Sequence, residues 1–225
     1  MYGDTRLNQF YEALLAHYGR QHWWPGDGPF EVMVGAVLTQ NTNWNNVAKA
    51  IGNLKAAGKL SAEALDELEP NELAVLIRPA GYYNIKARRL GNLVRWFLSE
   101  YDGSIEALVQ RPVDTLREEL LGINGIGRET ADSIILYALN KTTFVVDTYT
   151  YRVLARHGCI DTESDYEEIK DYCQRNLPEQ AKLYNELHAL IVRVGKEHCK
   201  PRPRCDGCPL ERFEHTIEDR STGGG

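Results

Sequence analysis

The sequence has no apolar run long enough to cross a bilayer. Its most apolar stretches, such as FEVMVGAVL at 30–38, fall well short of the roughly 20 residues a spanning helix requires, so no membrane partner is expected. The opening stretch MYGDTRLNQFYEALLAHYG has helical amphipathic spacing and lacks the pattern of a signal peptide, which points to a cytoplasmic protein. Strand-like alternation is nearly absent, no internal repeat occurs, and only the closing STGGG is low in complexity. Positive charge is in deficit, with 26 Lys and Arg against 32 Asp and Glu and a net charge of −6. That balance argues against coating nucleic acid through bulk electrostatics, although local patches decide the local potential. Cysteine is sparse, five in all. Three of them crowd together at Cys199, Cys205 and Cys208, and in a chain without a secretory signal that crowding suggests metal or cluster ligation more than a disulfide framework.

What is present is helical periodicity. At 225 residues the chain can form one large domain or two small lobes with a core of their own. Leu7, Phe10, Tyr11, Leu14, Leu15 and Tyr18 form one apolar stripe, and Trp44, Val47, Ala48, Ile51 and Leu54 form another. Pro70, Pro112 and Pro178 stand where first helical turns begin. Gly58, Gly81, Gly122, Gly158 and Gly195 stand where helices stop, which divides the chain into about ten helices. FEVMVGAVL is apolar all round and is expected as a buried central helix. Charge is segregated: SAEALDELEPNE (61–72) and DTESDYEE (161–168) carry only acids, whereas KARR (86–89) and RVGKEHCKPRPR (193–204) are basic. Solvated helix faces account for runs of either sign. The basic clusters near Lys86 and Lys200 become candidate phosphate contacts only if other features call for them.

Such a feature is LGINGIGRETADSI at 121–134. A short turn between two helices can aim several backbone N–H groups outward and hold an anion without cationic side chains. Gly125 and Gly127 allow positive φ and the close approach of a phosphate, Ile126 pins the turn to the core, and Thr130 and Ala131 begin the next helix. An ordinary helix-to-helix corner has the same local pattern. Further on, KTTFVVDTYTYRVLARHG (141–158) places Asp147 at a helix N-terminus, where the dipole and exposed amides keep a carboxylate ionised. A plain helix cap is the alternative reading of that residue.

Taken together, Leu121 to Ala131, then Val146, Asp147 and Thr148, then Arg152 and Val153, and finally Cys199, Cys205 and Cys208, resemble the helix-hairpin-helix DNA glycosylase superfamily of the endonuclease III type. The resemblance runs from about residue 28 to 208. It implies an all-α, two-lobed helix-hairpin-helix glycosylase fold with a C-terminal cysteine loop. The central lobe would span 28–138 with the hairpin motif at about 116–138; the second would join 1–27 to 139–225 and carry the loop 199–208. It also implies a monomer acting on damaged double-stranded DNA. In this family the matching aspartate stabilises the oxocarbenium-like sugar left as the base departs and helps activate water. Members that also cleave the strand carry a lysine directly after G-R, which forms a Schiff base. Here that position is Glu129, so the resemblance implies a monofunctional enzyme.

QHWWPGDGPF (21–30), LTQNTNWNN (38–46) and IRPAGYYNIKARRL (77–90) are similar to segments of the 3-methyladenine DNA glycosylases within that branch. On this resemblance Trp23, Trp24, Pro25 and Trp44 line a pocket for an everted base, and Gln40 fills the hole left in the duplex. Gly125, Ile126, Gly127, Arg128 and Thr130 hold the DNA backbone. A cationic alkylated purine suits a stack of indoles. The alternative is that Trp44 only starts its helix stripe and the Trp pair packs under a loop. The loop HCKPRPRCDGCPLERFEHT (198–216) matches the family's holder of a [4Fe-4S] cluster in Cys199, Cys205 and Cys208, but Glu214 stands in place of a fourth cysteine. His215 and Glu214 are the candidate fourth ligands, with zinc or an empty loop as alternatives. Cys159 and Cys173 read as ordinary buried thiols. Two other functions stay open: an oxidised-pyrimidine glycosylase with lyase activity, and a non-catalytic DNA-binding or redox-sensing module.

Overall fold

In a computed structural model, residues 5–21, 23 and 26–216 are described. Among them are twelve α-helices and no strand. In chain order they are α1 (Arg6–Tyr18), α2 (Pro29–Leu38), α3 (Trp44–Ala56), α4 (Ala62–Asp66), α5 (Pro70–Leu76), α6 (Tyr83–Tyr101), α7 (Ile105–Gln110), α8 (Val113–Gly122), α9 (Arg128–Ser133), α10 (Thr148–Arg156), α11 (Tyr166–Asn176) and α12 (Ala181–Glu197). A 3-10 turn, Arg78–Ala80, precedes α6, and a π-helical segment, Ile134–Ala138, extends α9. None of these helices is long and apolar enough to cross a membrane. The chain divides into two compact units, residues 24–143 and residues 1–23 with 144–225.

The first unit is built around α2. Pro29 at its first turn needs no amide partner, and every residue from Val32 to Leu38 is buried, as expected of a helix apolar on all sides. It packs against the π-helical segment, α3, α6 and α9. The shorter helices are set by local chemistry. Asn43 caps α3 by accepting the Asn46 amide, Ser61 and Ser104 cap α4 and α7 in the same way, and Glu69 and Glu72 form a capping box around Pro70. Such a side-chain cap contributes about 1 kcal/mol. Helix α6 lays Ala87, Leu90, Leu93, Val94, Phe97 and Tyr101 into the core.

The second unit joins α1 to α10, α11 and α12. Leu7, Phe10 and Leu14 are the buried stripe of α1, which packs on α12 and α11, while α12 also packs on α10. The Phe10 ring meets His157 and Phe213 edge-on, each at 4.9 Å, and Arg6 Nη1 donates to the His157 carbonyl at 2.6 Å. Gly195, expected to end a helix, lies buried inside α12 instead. The reason is contact with α10: a Cβ there would sit 2.5 Å from Tyr149 Cδ1, so the glycine permits close approach of two helices.

Candidate active site and hairpin

Asp147 is the N-cap of α10. Its Oδ1 accepts from the Tyr149 amide at 2.9 Å, the Thr150 amide at 2.8 Å and the Thr150 hydroxyl at 3.0 Å. Oδ2 lies 3.5 Å from His188 Nε2 on α12, and the two side chains are 13% and 5% exposed. Burial alone would raise the carboxyl pKa, but the His188 imidazole and the Thr150 donors outweigh it and hold the group below its ordinary value. The residue is thus a helix cap and also an ionised carboxylate in a largely dehydrated setting, where charge acts strongly. Around it, Arg152 lies over the Tyr149 ring at 5.1 Å, and Lys196 lies 5.9 Å from that ring and 5.8 Å from the ring of Trp23. Trp23 is half-buried. Trp24 and Pro25 lie outside the described residues.

In the other unit, α8 and α9 are joined by a turn through Gly125 and Ile126. Ile126 is buried in the core cluster and its amide bonds the Ile123 carbonyl at 3.0 Å. Gly125 has φ +98°, a region open to glycine. A Cβ there would fall 2.2 Å from Arg89 Cγ. Gly127 differs from expectation: with φ −95° and ψ 177° it is extended, a conformation any residue adopts. A Cβ added to it would meet nothing within 4 Å, so open space rather than backbone freedom is what it supplies. Beyond it, the first-turn amides of α9 point out of the helix without intrahelical partners, and Arg128 and Glu129 are exposed while Thr130 is buried.

Gln40 is tied to this hairpin. Its Nε2 donates to the Gly125 carbonyl at 3.1 Å and to Thr130 Oγ1 at 2.9 Å, and its Oε1 accepts from Arg89 Nη1 at 2.5 Å. Trp44 opens α3 half-buried and packs against the core cluster. The hairpin helices are clamped by Arg117 on α8, which donates to both Asp132 oxygens at 2.9 and 3.1 Å, while Thr143 donates to Oδ1 at 2.8 Å. Lys86 departs from its expected role in a phosphate-binding cluster. It is 1% exposed, and its ammonium donates to the Leu38 and Ala80 carbonyls at 2.9 and 2.7 Å. Burial, with Arg89 nearby, lowers its pKa to about 8. A cation at the last turn of α2 satisfies carbonyls that the helix cannot.

Cys199, Cys205 and Cys208 line one cavity together with His215, His198 and Glu211. Glu214 is turned elsewhere, its carboxylate 91% exposed and 4.0 Å from Arg6. His215 pairs its Nδ1 with the Phe213 carbonyl at 2.8 Å, which leaves Nε2 as the nitrogen open to a ligand. Among the described residues no three His, Cys, Asp or Glu side chains stand close enough to share a single metal ion. Three thiols and an imidazole on one cavity wall are donor types that suit an iron–sulfur cluster.

The model of the HhH-GPD superfamily base excision DNA repair proteins matches residues 34–179. The chain belongs to the HhH-GPD superfamily. As an HhH-GPD protein it belongs to the DNA glycosylases of base excision repair. A protein of Methanocaldococcus jannaschii named as a DNA repair glycosylase is 47% identical over 209 residues, 92% of this chain and 94% of that one. Endonuclease III of Thermotoga maritima is 32% identical over 218 residues, covering 96% of each. Among solved structures, the H. pylori 3-methyladenine DNA glycosylase bound to 1,N6-ethenoadenine superposes with a TM-score of 0.73 at 33% identity, over 85% of this chain and 95% of that one. A trapped endonuclease III–DNA intermediate, 24% identical over 93% of this chain and 94% of that one, gives 0.78 and shares the fold.

Several residues of this HhH-GPD chain escape sequence reasoning. His188 sits within the apolar stripe of α12 and gives no local signal. Tyr82 is 69% exposed with φ +47° and ψ 32°, a left-handed conformation that costs a non-glycine residue about 1 kcal/mol or more. A strained backbone outlier of this kind is found at ligand clamps and functional sites, and its trace in the sequence is the pair Tyr82 and Tyr83 after Gly81.

Proposed function

We propose that the protein is a monofunctional DNA glycosylase that everts alkylated purines of the 3-methyladenine kind and hydrolyses their N-glycosidic bond, with no strand cleavage. The observation that carries this reading is the pair of carboxylates at the two motif positions: Asp147 held ionised at the N-terminus of α10, and Glu129 where a lyase needs an amine. As the base leaves, positive charge grows on the deoxyribose, and an ionised carboxylate in a dehydrated setting opposes it strongly. The same carboxylate accepts the proton of the attacking water. A carboxylate at 129 cannot form an imine, so the sugar passes to water. The H. pylori relative, a 3-methyladenine glycosylase bound to a purine adduct at 33% identity, supports the substrate class over oxidised pyrimidines. Trp23, Trp24, Pro25 and Trp44 would stack the everted base. Gln40 would enter the duplex once released from the hairpin, and Arg128 with the hairpin amides would hold phosphate. The protein would act as a monomer.

Cys199, Cys205, Cys208 and His215 would hold a [4Fe-4S] cluster, which when bound would supply a fixed scaffold for the basic loop 200–204. Iron and sulfide analysis with the visible spectrum tests that assignment. For the reaction itself, mass spectrometry of bases released from methylated DNA should show alkylated purines. Asp147→Asn should lower release at least about 100-fold while binding to an abasic-analogue duplex persists. Borohydride treatment should trap no protein–DNA adduct; efficient trapping, or release of only oxidised pyrimidines, overturns the proposal.

A further inference from the structure

The geometry points to His188 as a positioning residue for the reaction, holding the one oxygen of Asp147 that remains available to the substrate. This rests on the proposed role of Asp147. The two carboxylate oxygens are not equivalent. Oδ1 is saturated by three donors of α10, the Tyr149 amide, the Thr150 amide and the Thr150 hydroxyl. Oδ2 has none of these and stands 3.5 Å from His188 Nε2. A sugar cation or an attacking water must therefore address Oδ2, and the orientation of that oxygen is shared between α10 and α12.

His188 is suited to that task. Its side chain is 5% exposed, and the Phe144 ring stands edge-on to the imidazole at 6.4 Å. Phe144 leads directly into Val145, Val146 and Asp147, so the residue that flanks the imidazole also leads into the carboxylate. Among the described residues of this unit, the groups that face the carboxylate are the α10 donors and His188 from α12. From α11, the Tyr166 hydroxyl reaches the adjacent Val146 amide at 3.4 Å. An N–H donor or imidazolium at Oδ2 favours the charged carboxylate and opposes the effect of burial. Without it, a buried carboxylate has one oxygen facing apolar surroundings, its pKa rises, and its plane is free to turn about the Cβ–Cγ bond. Small displacements of a catalytic group carry large rate costs.

The test compares His188→Leu with His188→Gln, whose amide can still donate toward Oδ2. Each is measured for single-turnover release of alkylated purine, affinity for an abasic-analogue duplex, and the acid limb of the pH–rate profile. The expected result is release slowed by roughly 10- to 100-fold in H188L with duplex affinity unchanged, and much of the rate retained in H188Q. The limb follows Asp147: ionised above its pKa, it loses activity as pH falls through that value, so in H188L activity should be lost at a higher pH than in the parent protein. Release by H188L at the parent rate, or equal losses of affinity and rate in both variants, overturns the inference. If the parent protein releases no base and Asp147→Asn changes nothing, the proposed function itself fails, a result distinct from either.

Discussion

Replacing Gly195 by alanine sets two opposed effects against each other. Inside a helix, alanine is favoured over glycine by up to about 1 kcal/mol, and Gly195 lies in the last turn of α12, two residues before its end. A new Cβ, however, would lie 2.5 Å from Tyr149 Cδ1 and 3.0 Å from Tyr149 Cβ and Cγ. The Tyr149 Cβ cannot swing aside without moving α10, so the clash is of the overpacking kind, costing about 1–3 kcal/mol. The clash should win by up to about 2 kcal/mol, lowering Tm by roughly 2–4 °C per kcal/mol in a chain of this size. Gly52, interior to α3 with nothing within 4 Å of an added Cβ, is the control: Gly52→Ala should stabilise by about 0.5–1 kcal/mol. Urea denaturation at matched slope measures both. The Tyr149 amide donates to Asp147 at 2.9 Å, so Gly195→Ala should also slow base release without weakening binding to the duplex. Parallel stabilisation by the two substitutions would refute the close approach of α10 and α12.

Other outcomes follow from the same structure. Gly125→Ala forces a side chain at φ +98° into Arg89, and should destabilise by about 1–3 kcal/mol and weaken duplex binding at fixed salt; Gly127→Ala, extended and unobstructed, should leave the melting temperature unchanged. Lys86→Met strands the Leu38 and Ala80 carbonyls and should cost roughly 2–6 kcal/mol in urea unfolding, since each orphaned buried acceptor costs about 1–3. Burial lowers the His157 pKa from 6.5 to about 4. The unfolded chain takes up that proton at higher pH than the fold does, so this contribution to stability is full above the ordinary value and is lost as pH falls through the window between the two. Calorimetry should therefore show a slope between about pH 6.5 and pH 4 that is reduced in His157→Phe.

How much could be read in advance depended on the range of the interaction. The helical class, the burial of α2 and the cap at Asp147 were all legible, because periodicity, proline placement and capping chemistry act within a few residues. The turn at Gly125 was legible for the same reason, and the family resemblance rested on these local signatures. Gly195 was misread as a helix stop because its requirement comes from Tyr149, far away in sequence, and a packing glycine looks like a terminating one in a single chain. Lys86 was misread because the KARR run suggests a solvated basic face, whereas the partners of its ammonium are backbone carbonyls of α2 and the 3-10 turn, which have no sequence signature.

The sequence by itself determined where helices form and which chemical groups occupy the motif positions: an aspartate at 147, a glutamate at 129, three cysteines near the C-terminus. Tertiary structure alone decided what those groups face. It set His188 against one oxygen of Asp147, tied Gln40 to the hairpin, turned Glu214 away from the cysteine cavity and brought His215 to its wall. Local sequence fixes backbone conformation through torsional and capping preferences, but the neighbours of a side chain come from helices distant in the chain, and only packing of the folded core brings them within reach.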